Sequence, residues 1–148
     1  MNSGAVTKIP VILKQDEYIT ELGIKNSSTK KADYGDTLLS IMEPDTSKIS
    51  LLSEEFYFNQ SVASLSAYSK DDIGSIFFGI RKEMIHMQML KNGAAQQSIN
   101  KEIIMKSSIY YSDIFSDELL LISKQLIDLQ VKKSKLRELK SQLLNLYF

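Results

Sequence analysis

The sequence predicts an all-α fold: a helical bundle or helical hairpin with a long, coiled-coil-like C-terminal helix and a poorly ordered N-terminal segment. Three observations support this prediction. The stretch 117–148 contains neither proline nor glycine and is rich in leucine, lysine, glutamine and glutamate, which are good helix formers. Ser69 begins a second stretch with a helix-capping pattern. The 148 residues include only two prolines and six glycines, which argues against a loop-rich or all-β fold.

Composition excludes several classes of protein. The formal net charge is zero, so the chain has no long-range attraction to nucleic acid or anionic lipid. It has no cysteine, which excludes disulfides and cysteine-based zinc sites. No window approaches the roughly 18 apolar residues of a membrane span, and the N-terminus does not fit a cleavable signal peptide. We expect a cytoplasmic protein, or one exported without a cleavable signal.

Residues 1–35 are predicted as a flexible or partner-ordered segment, and residues 36–148 as the helical domain. The apolar run 9–13 forms either an edge strand or an extended segment packed on helices, because Pro10 lacks an amide donor. The stretch 16–22 predicts two helical turns that end at Gly23. The polar, turn-rich stretch 26–36 predicts a linker.

Two helices are predicted between residues 37 and 68. Asp36 is placed to cap a short helix over 37–42, which Pro44 ends because the residue before a proline avoids the α conformation. A second helix is predicted from about Ser50 or Ser53 to Tyr68. Its predicted buried side comprises Leu52, Phe56, Val62, Leu65 and Tyr68.

Ser69 begins the best-defined of the central helices. Its hydroxyl is placed to accept a hydrogen bond from the amide of Asp72, whose carboxylate reaches back in a capping box. Apolar residues follow at steps of three and four, and Asn92 with Gly93 ends the helix. Gly74 and Gly79 each cost a helix about 1 kcal/mol relative to alanine. Their presence indicates that another helix packs closely there. The apolar steps are Ile73, Phe77, Ile80, Met84 and Met87.

A third helical segment is predicted from about Gln96 toward Tyr111. It either continues into the C-terminal helix as one rod or, as we prefer, kinks near residues 112–113. Asp113 or Ser116 is then placed to cap the new helix.

The C-terminal helix carries the predicted partner-binding surface, the leucine seam. It comprises Leu119, Ile122, Leu126, Leu129, Leu136, Leu139, Leu143, Leu146, Tyr147 and Phe148. The step from Leu129 to Leu136 contains a fault, because the intervening position falls on a lysine and two three-residue steps become consecutive. Either the seam belongs to an antiparallel bundle or hairpin and changes partner at the fault, or an oligomeric coiled coil contains a local irregularity.

No catalytic, cofactor-binding or metal-binding residues are predicted. Paired carboxylates at 16–17, 54–55, 71–72 and 117–118 fall in the first turns of predicted helices, where the helix dipole stabilises negative charge. His86 is the only histidine, and without cysteine it cannot complete the usual zinc shells. The glycines fit no phosphate-binding fingerprint. The basic run 132–140 lacks interleaved aromatic residues, so nucleic-acid binding is not expected.

The predicted function is a non-enzymatic protein–protein interaction module: an assembly subunit, adaptor or chaperone-like component of a larger complex. It would bind a protein partner or a second copy through the C-terminal helix. In general plan, with an irregular N-terminal third, central helices and a leucine-rich C-terminal helix, the chain resembles small helical components or substrates of bacterial injection (type III secretion) systems. A competing hypothesis of another class is an enzyme with a polar site between helices. Buried polar side chains close together would favour the enzyme, and an exposed apolar groove or a symmetric helix interface would favour the interaction module.

Overall fold

The fold is α+β, so the all-α prediction is wrong. The computed structural model describes residues 6, 10–13, 18–42, 48–91, 101–109, 111 and 113–147. These residues form six strands: β1 (Val11–Ile12), β2 (Lys30–Ala32), β3 (Thr37–Ser40), β4 (Ile49–Leu52), β5 (Phe56–Phe58) and β6 (Val62–Leu65). They also form four α-helices: α1 (Glu21–Lys25), α2 (Ile73–Lys91), α3 (Lys101–Lys106) and α4 (Ser116–Tyr147).

The strands form two sheets. The larger sheet has the order β1-β4-β3-β6, in which β1 runs parallel to β4 and the other pairs are antiparallel. The smaller sheet pairs β2 with β5 in antiparallel orientation. The predicted helices over 37–42 and from residue 50 to 68 are therefore wrong. The first is β3, and the second contains most of β4 and all of β5 and β6.

Burial on both faces of the larger sheet explains this error. Leu38 and Leu39 are neighbours on β3 and are both fully buried, on opposite faces. Every residue of β3 and of β4 is buried, so neither strand shows the polar–apolar alternation that marks a half-exposed strand. A short apolar run of this kind cannot be distinguished from a buried helical segment by periodicity.

Two hydrophobic clusters lie on the two faces. On one face, Leu39, Ile49 and Leu51 of the larger sheet pack with Phe77, Ile80 and Met84 of α2 and with Ile104 and Ile127 of the later helices. On the other face, Ile12, Leu38, Leu52 and Val62 pack with Ala32, Phe56 and Phe58 of the smaller sheet. The larger sheet is thus the middle layer of three. Of the residues predicted as one buried helix side, Leu52, Phe56 and Val62 are buried in strands, Leu65 is half-buried and Tyr68 is exposed.

Turns occupy residues 33–36, where Asp36 was predicted to cap a helix, and residues 59–61, which were predicted to lie inside a helix. Gly35 has a φ of +84°, a conformation that glycine adopts without strain, and it leads into β3. Asp36 does not cap a helix, because its carboxylate accepts a hydrogen bond from the amide of Asp33 at 3.0 Å. Asn59 forms the turn before β6 by accepting from the amide of Ser61 at 3.1 Å.

The N-terminal third contributes to both sheets. The run 9–13 contains β1, a strand at the edge of the larger sheet, which is one of the two predicted alternatives. The predicted linker 26–36 contains β2, and the short helix α1 continues past Gly23 to Lys25. The pairings of β1 and β2 cross the predicted boundary at residues 35 and 36. That residues 1–35 are mobile in solution stays a prediction.

Helices α2 and α4 agree with the sequence prediction, whereas α3 ends before the predicted end near Tyr111. Ser69 accepts a hydrogen bond from the amide of Asp71 at 3.2 Å, one residue earlier than predicted, and caps a 3-10 turn (Lys70–Asp72) that leads into α2. The predicted end at Asn92 and Gly93 and the predicted start near Gln96 lie outside the described residues. α3 ends at Lys106, and a 3-10 turn (Asp113–Phe115) precedes α4. The two helices are therefore separate, as the preferred alternative predicted, but the break begins after Lys106, earlier than the predicted kink near residues 112–113.

Candidate functional site

The long helix α4 has two halves with different surroundings. In the first half, Ser123 and Ile127 are buried, and Leu120, Val131 and Ser134 are half-buried on the same side. These positions recur at steps of three or four, so they form one helix face, which lies against α2 and the larger sheet. From Lys135 to Tyr147 every residue is exposed. The second half, about 20 Å at 1.5 Å per residue, thus extends beyond the packed domain.

An exposed apolar line runs along α4 on the side that faces away from the domain. Ile122, Leu129, Leu136 and Leu143 recur every seven residues. Leu129 is two positions from buried Ile127, which places the two side chains about 200° apart around the helix. We call this line, with Leu139 and Leu146 added in the second half, the outer stripe. Its six side chains are between 44% and 77% exposed.

The outer stripe accounts for the fault in the predicted leucine seam. Leu119 and Leu126 are half-buried, and Leu126 packs against the hydrophobic cluster beneath α2. Ile122 and Leu129 are exposed, and they are continuous with Leu136 and Leu143 at intervals of seven. The predicted seam is therefore two surfaces: one holds α4 on the domain, and the other is exposed. Tyr147 is also exposed, and Phe148 lies outside the described residues.

Basic residues surround the exposed second half. Between residues 131 and 147 the chain has five basic residues and one acidic residue, Glu138, a net charge of +4. The basic residues are Lys132, Lys133, Lys135, Arg137 and Lys140, and all five are exposed. The whole protein is neutral, so this end of α4 is a local positive region on a balanced molecule.

Among the groups considered for catalysis, His86 lies at the surface and contacts an acidic residue of its own helix. His86 Nδ1 is 3.3 Å from Glu83 Oε2 on the exposed side of α2. Among the carboxylate pairs, 16–17 lies outside the described residues. The pair 54–55 does not begin a helix as predicted, because it lies between β4 and β5. Within the part of the chain that the structure describes, no group of three residues is arranged to bind a metal ion.

Glu55 belongs to a surface ion-pair cluster. Lys31 Nζ is 2.8 Å from Glu55 Oε2 and 3.1 Å from Asp33 Oδ1. The hydrogen bonds to Glu55 and then to Asp33 raise the pKa of Lys31 above its ordinary value of 10.5. A raised lysine pKa contributes stability below the pKa of the unfolded chain, and that contribution is lost only as pH rises through the folded value. The raised pKa of Lys31 therefore produces no change in stability near neutral pH.

Three buried polar side chains, those of Asp36, Ser40 and Ser123, form hydrogen bonds that hold turns, strands or helices. The buried hydroxyls of Thr37 and Ser75 have no hydrogen-bond partner among the described residues, and they lie on separate elements, β3 and α2. Ser123 donates to the carbonyl of Leu119 one helical turn earlier, at 2.8 Å, and Ser40 donates to the carbonyl of Met42 at 2.7 Å. Asp36 accepts from Ser64 at 3.1 Å as well as from the amide of Asp33. Hydrogen bonds of this kind hold turns, strands and helices together, and they do not direct reactive atoms toward one cleft.

No protein-family model matches the chain, and no curated protein is significantly similar to it. Among the helices that the structure describes, none is long and apolar enough to cross a membrane.

Proposed function

We propose that the chain is a non-enzymatic protein–protein interaction module that serves as an assembly subunit or adaptor. The α+β domain holds the first half of α4, and the outer stripe binds a helix of another protein chain. The observation that carries this proposal is the outer stripe itself: six isoleucine and leucine side chains in one line, each at least 44% exposed.

Physical arguments connect the stripe to helix binding. When a partner covers apolar side chains that are grouped on a surface, the free energy of binding becomes more favourable. The gain is roughly 25 cal/mol for each Å² of apolar surface buried. A seven-residue repeat keeps an apolar line facing a second helix when the two helices coil gently around each other. The outer stripe keeps this repeat from Ile122 to Leu143. Its partner is therefore expected to be helical.

The domain gives the stripe a defined position. Ile127 is buried in the cluster that contains Phe77 and Ile80 of α2, so the first half of α4 is attached to the core. A helix that is anchored over its first half loses less conformational freedom on binding than a free peptide of the same sequence. The resemblance to secretion-system components rested in part on the helices predicted between residues 37 and 68, and that region forms strands, so the proposal does not use it.

The experiment compares two glutamate substitutions in the same turn of the exposed half. Leu143→Glu places a charge in the outer stripe. Ser141→Glu places the same charge about 200° away around the helix, at another exposed position. Purified proteins are compared by light scattering for molecular mass. Each is also used to capture proteins from an extract of the native host, with quantitative mass spectrometry.

We expect the wild type and Ser141→Glu to form the same complex and Leu143→Glu to lose it. Circular dichroism should show unchanged helix content and melting temperature for all three proteins, because both positions are exposed. If Leu143→Glu retains the same partner and the same mass as wild type, the outer stripe is not the binding surface. If the wild type captures no partner and is a monomer, the proposed function is wrong.

A further inference from the structure

We propose that the partner on the outer stripe is a helix whose own apolar seam is flanked by acidic residues, and not a second copy of this chain. This inference rests on the proposed function and names the chemistry of the partner. The observation behind it is the charge of the two borders of the stripe.

Both borders of the stripe are basic between residues 133 and 140. Successive residues turn by about 100° around a helix, which places Lys133 and Lys140 along one border and Lys135 along the other. Lys132 lies within the line of the stripe, midway between Leu129 and Leu136. Asp128 is the one acidic residue at the borders between residues 125 and 145. Charged residues beside an apolar seam select the partner of a helix and its orientation.

Two copies would bring like charges together. In a parallel pair, Lys132 would meet its counterpart inside the apolar line, and Lys135 would lie beside Lys140 of the other copy. In an antiparallel pair, each border meets the same border of the other copy, so Lys133 and Lys140 again face lysines. Asp128 supplies one acidic side chain opposite a lysine in either arrangement, which offsets only part of this repulsion. Like charges on facing helices weaken association, whereas acidic side chains opposite these lysines strengthen it.

The stripe also sets the length and pattern of the partner. From Ile122 to Leu146 it covers 24 residue steps, about 36 Å of helix. A matching partner has about 25 helical residues with apolar side chains repeating every seven residues. It carries glutamate or aspartate at the borders, and an acidic or polar residue opposite Lys132 sets the register.

The test uses two synthetic helical peptides of about four heptads each. They share the same leucines, and the border positions are all glutamate in one peptide and all lysine in the other. Binding of each fluorescently labelled peptide to the full-length protein is measured by anisotropy at about 0.05 M and 0.5 M salt, where screening lengths differ several-fold.

The variants are the double substitution Lys133→Glu with Lys140→Glu and the matched control Lys124→Glu. Lys124 is an exposed lysine of α4 away from the stripe.

We expect the glutamate peptide to bind about tenfold or more tighter than the lysine peptide at low salt, and the ratio to fall at high salt. The double variant should remove or reverse the preference, and Lys124→Glu should keep it. Leu143→Glu should abolish binding of both peptides. Equal affinity for the two peptides, or tighter binding of the lysine peptide, overturns the inference.

A stable dimer of the wild type that Leu143→Glu dissociates also overturns the inference, although the proposed function then stands. If neither peptide binds and the wild type is a monomer that captures no partner, both the inference and the proposed function are wrong.

Discussion

Gly74 of α2 lies directly against the backbone of Leu119 of α4. A Cβ atom at position 74 would overlap the carbonyl group of Leu119 and approach the amide nitrogen of Leu120 to 2.6 Å. The two helices are therefore in backbone contact near the start of each. This contact sets the point from which α4 runs across the domain, and it explains why a residue unfavourable to helices stands in the first turn of α2.

Gly74→Ala is expected to destabilise the protein. Alanine favours a helix over glycine by about 1 kcal/mol, but separating two packed backbones costs typically 1–3 kcal/mol or more. We expect a net decrease in the free energy of unfolding, measured by urea titration followed by circular dichroism. His86→Ala, at an exposed position of the same helix, is the control and should change stability by less than about 1 kcal/mol. An increase in stability for Gly74→Ala would show that the helices are not in backbone contact.

The two sides of α4 should respond differently to the same kind of truncation. Ile127→Ala removes a buried side chain of the cluster under α2 and should cost about 2–5 kcal/mol. Leu129→Ala removes a side chain that is 62% exposed and should change stability by less than about 0.5 kcal/mol. Thermal and urea unfolding of the purified variants measure the two changes in stability. Similar losses in the two variants would contradict the division of the predicted seam into two surfaces.

Asp36 and Ser64 should be energetically coupled. The Asp36 carboxylate joins the turn at Asp33 to β6 through the hydroxyl of Ser64, at 3.1 Å, and Asp36 is buried. Asp36→Ala leaves the Asp33 amide and the Ser64 hydroxyl without this acceptor, and should cost about 1–3 kcal/mol. A double-mutant cycle with Ser64→Ala should give a coupling of about 0.5–1.5 kcal/mol. Additive effects would mean that the hydrogen bond contributes nothing to stability.

The exposed half of α4 should be dispensable for folding. Residues 135–147 are exposed throughout, so a chain ending at residue 134 keeps every buried residue of the described domain. We expect the shortened protein to unfold at nearly the same temperature as the full chain and to show a weaker helical signal in circular dichroism. A large fall in melting temperature would show that the exposed half packs on the domain.

Local signals in the sequence were sufficient to predict α2 and α4 and to indicate that another helix packs closely on α2, but not which helix. Ser69 caps the turn before α2, the stretch after Asp117 has high helix propensity, and Gly74 indicated a neighbouring backbone. Capping, propensity and glycine content act over a few residues and are visible in one sequence. The six residues of the outer stripe all belong to the predicted seam, because a spacing of three, four and seven is a local property of a helix; the sequence did not separate them from the rest of the seam.

Tertiary structure decided which apolar residues lie in strands and which side of α4 is exposed. Leu38 and Leu39 are adjacent, and a strand sends them to two different layers, so both are buried and no alternation remains in the sequence. Leu126 and Leu129 fit one helical seam equally well, yet only Leu126 packs against the domain. Spacing defines a face relative to the helix axis. Whether that face points toward the domain or toward solvent depends on packing with residues distant in the chain. The contact between Gly74 and Leu119 is one example of such packing.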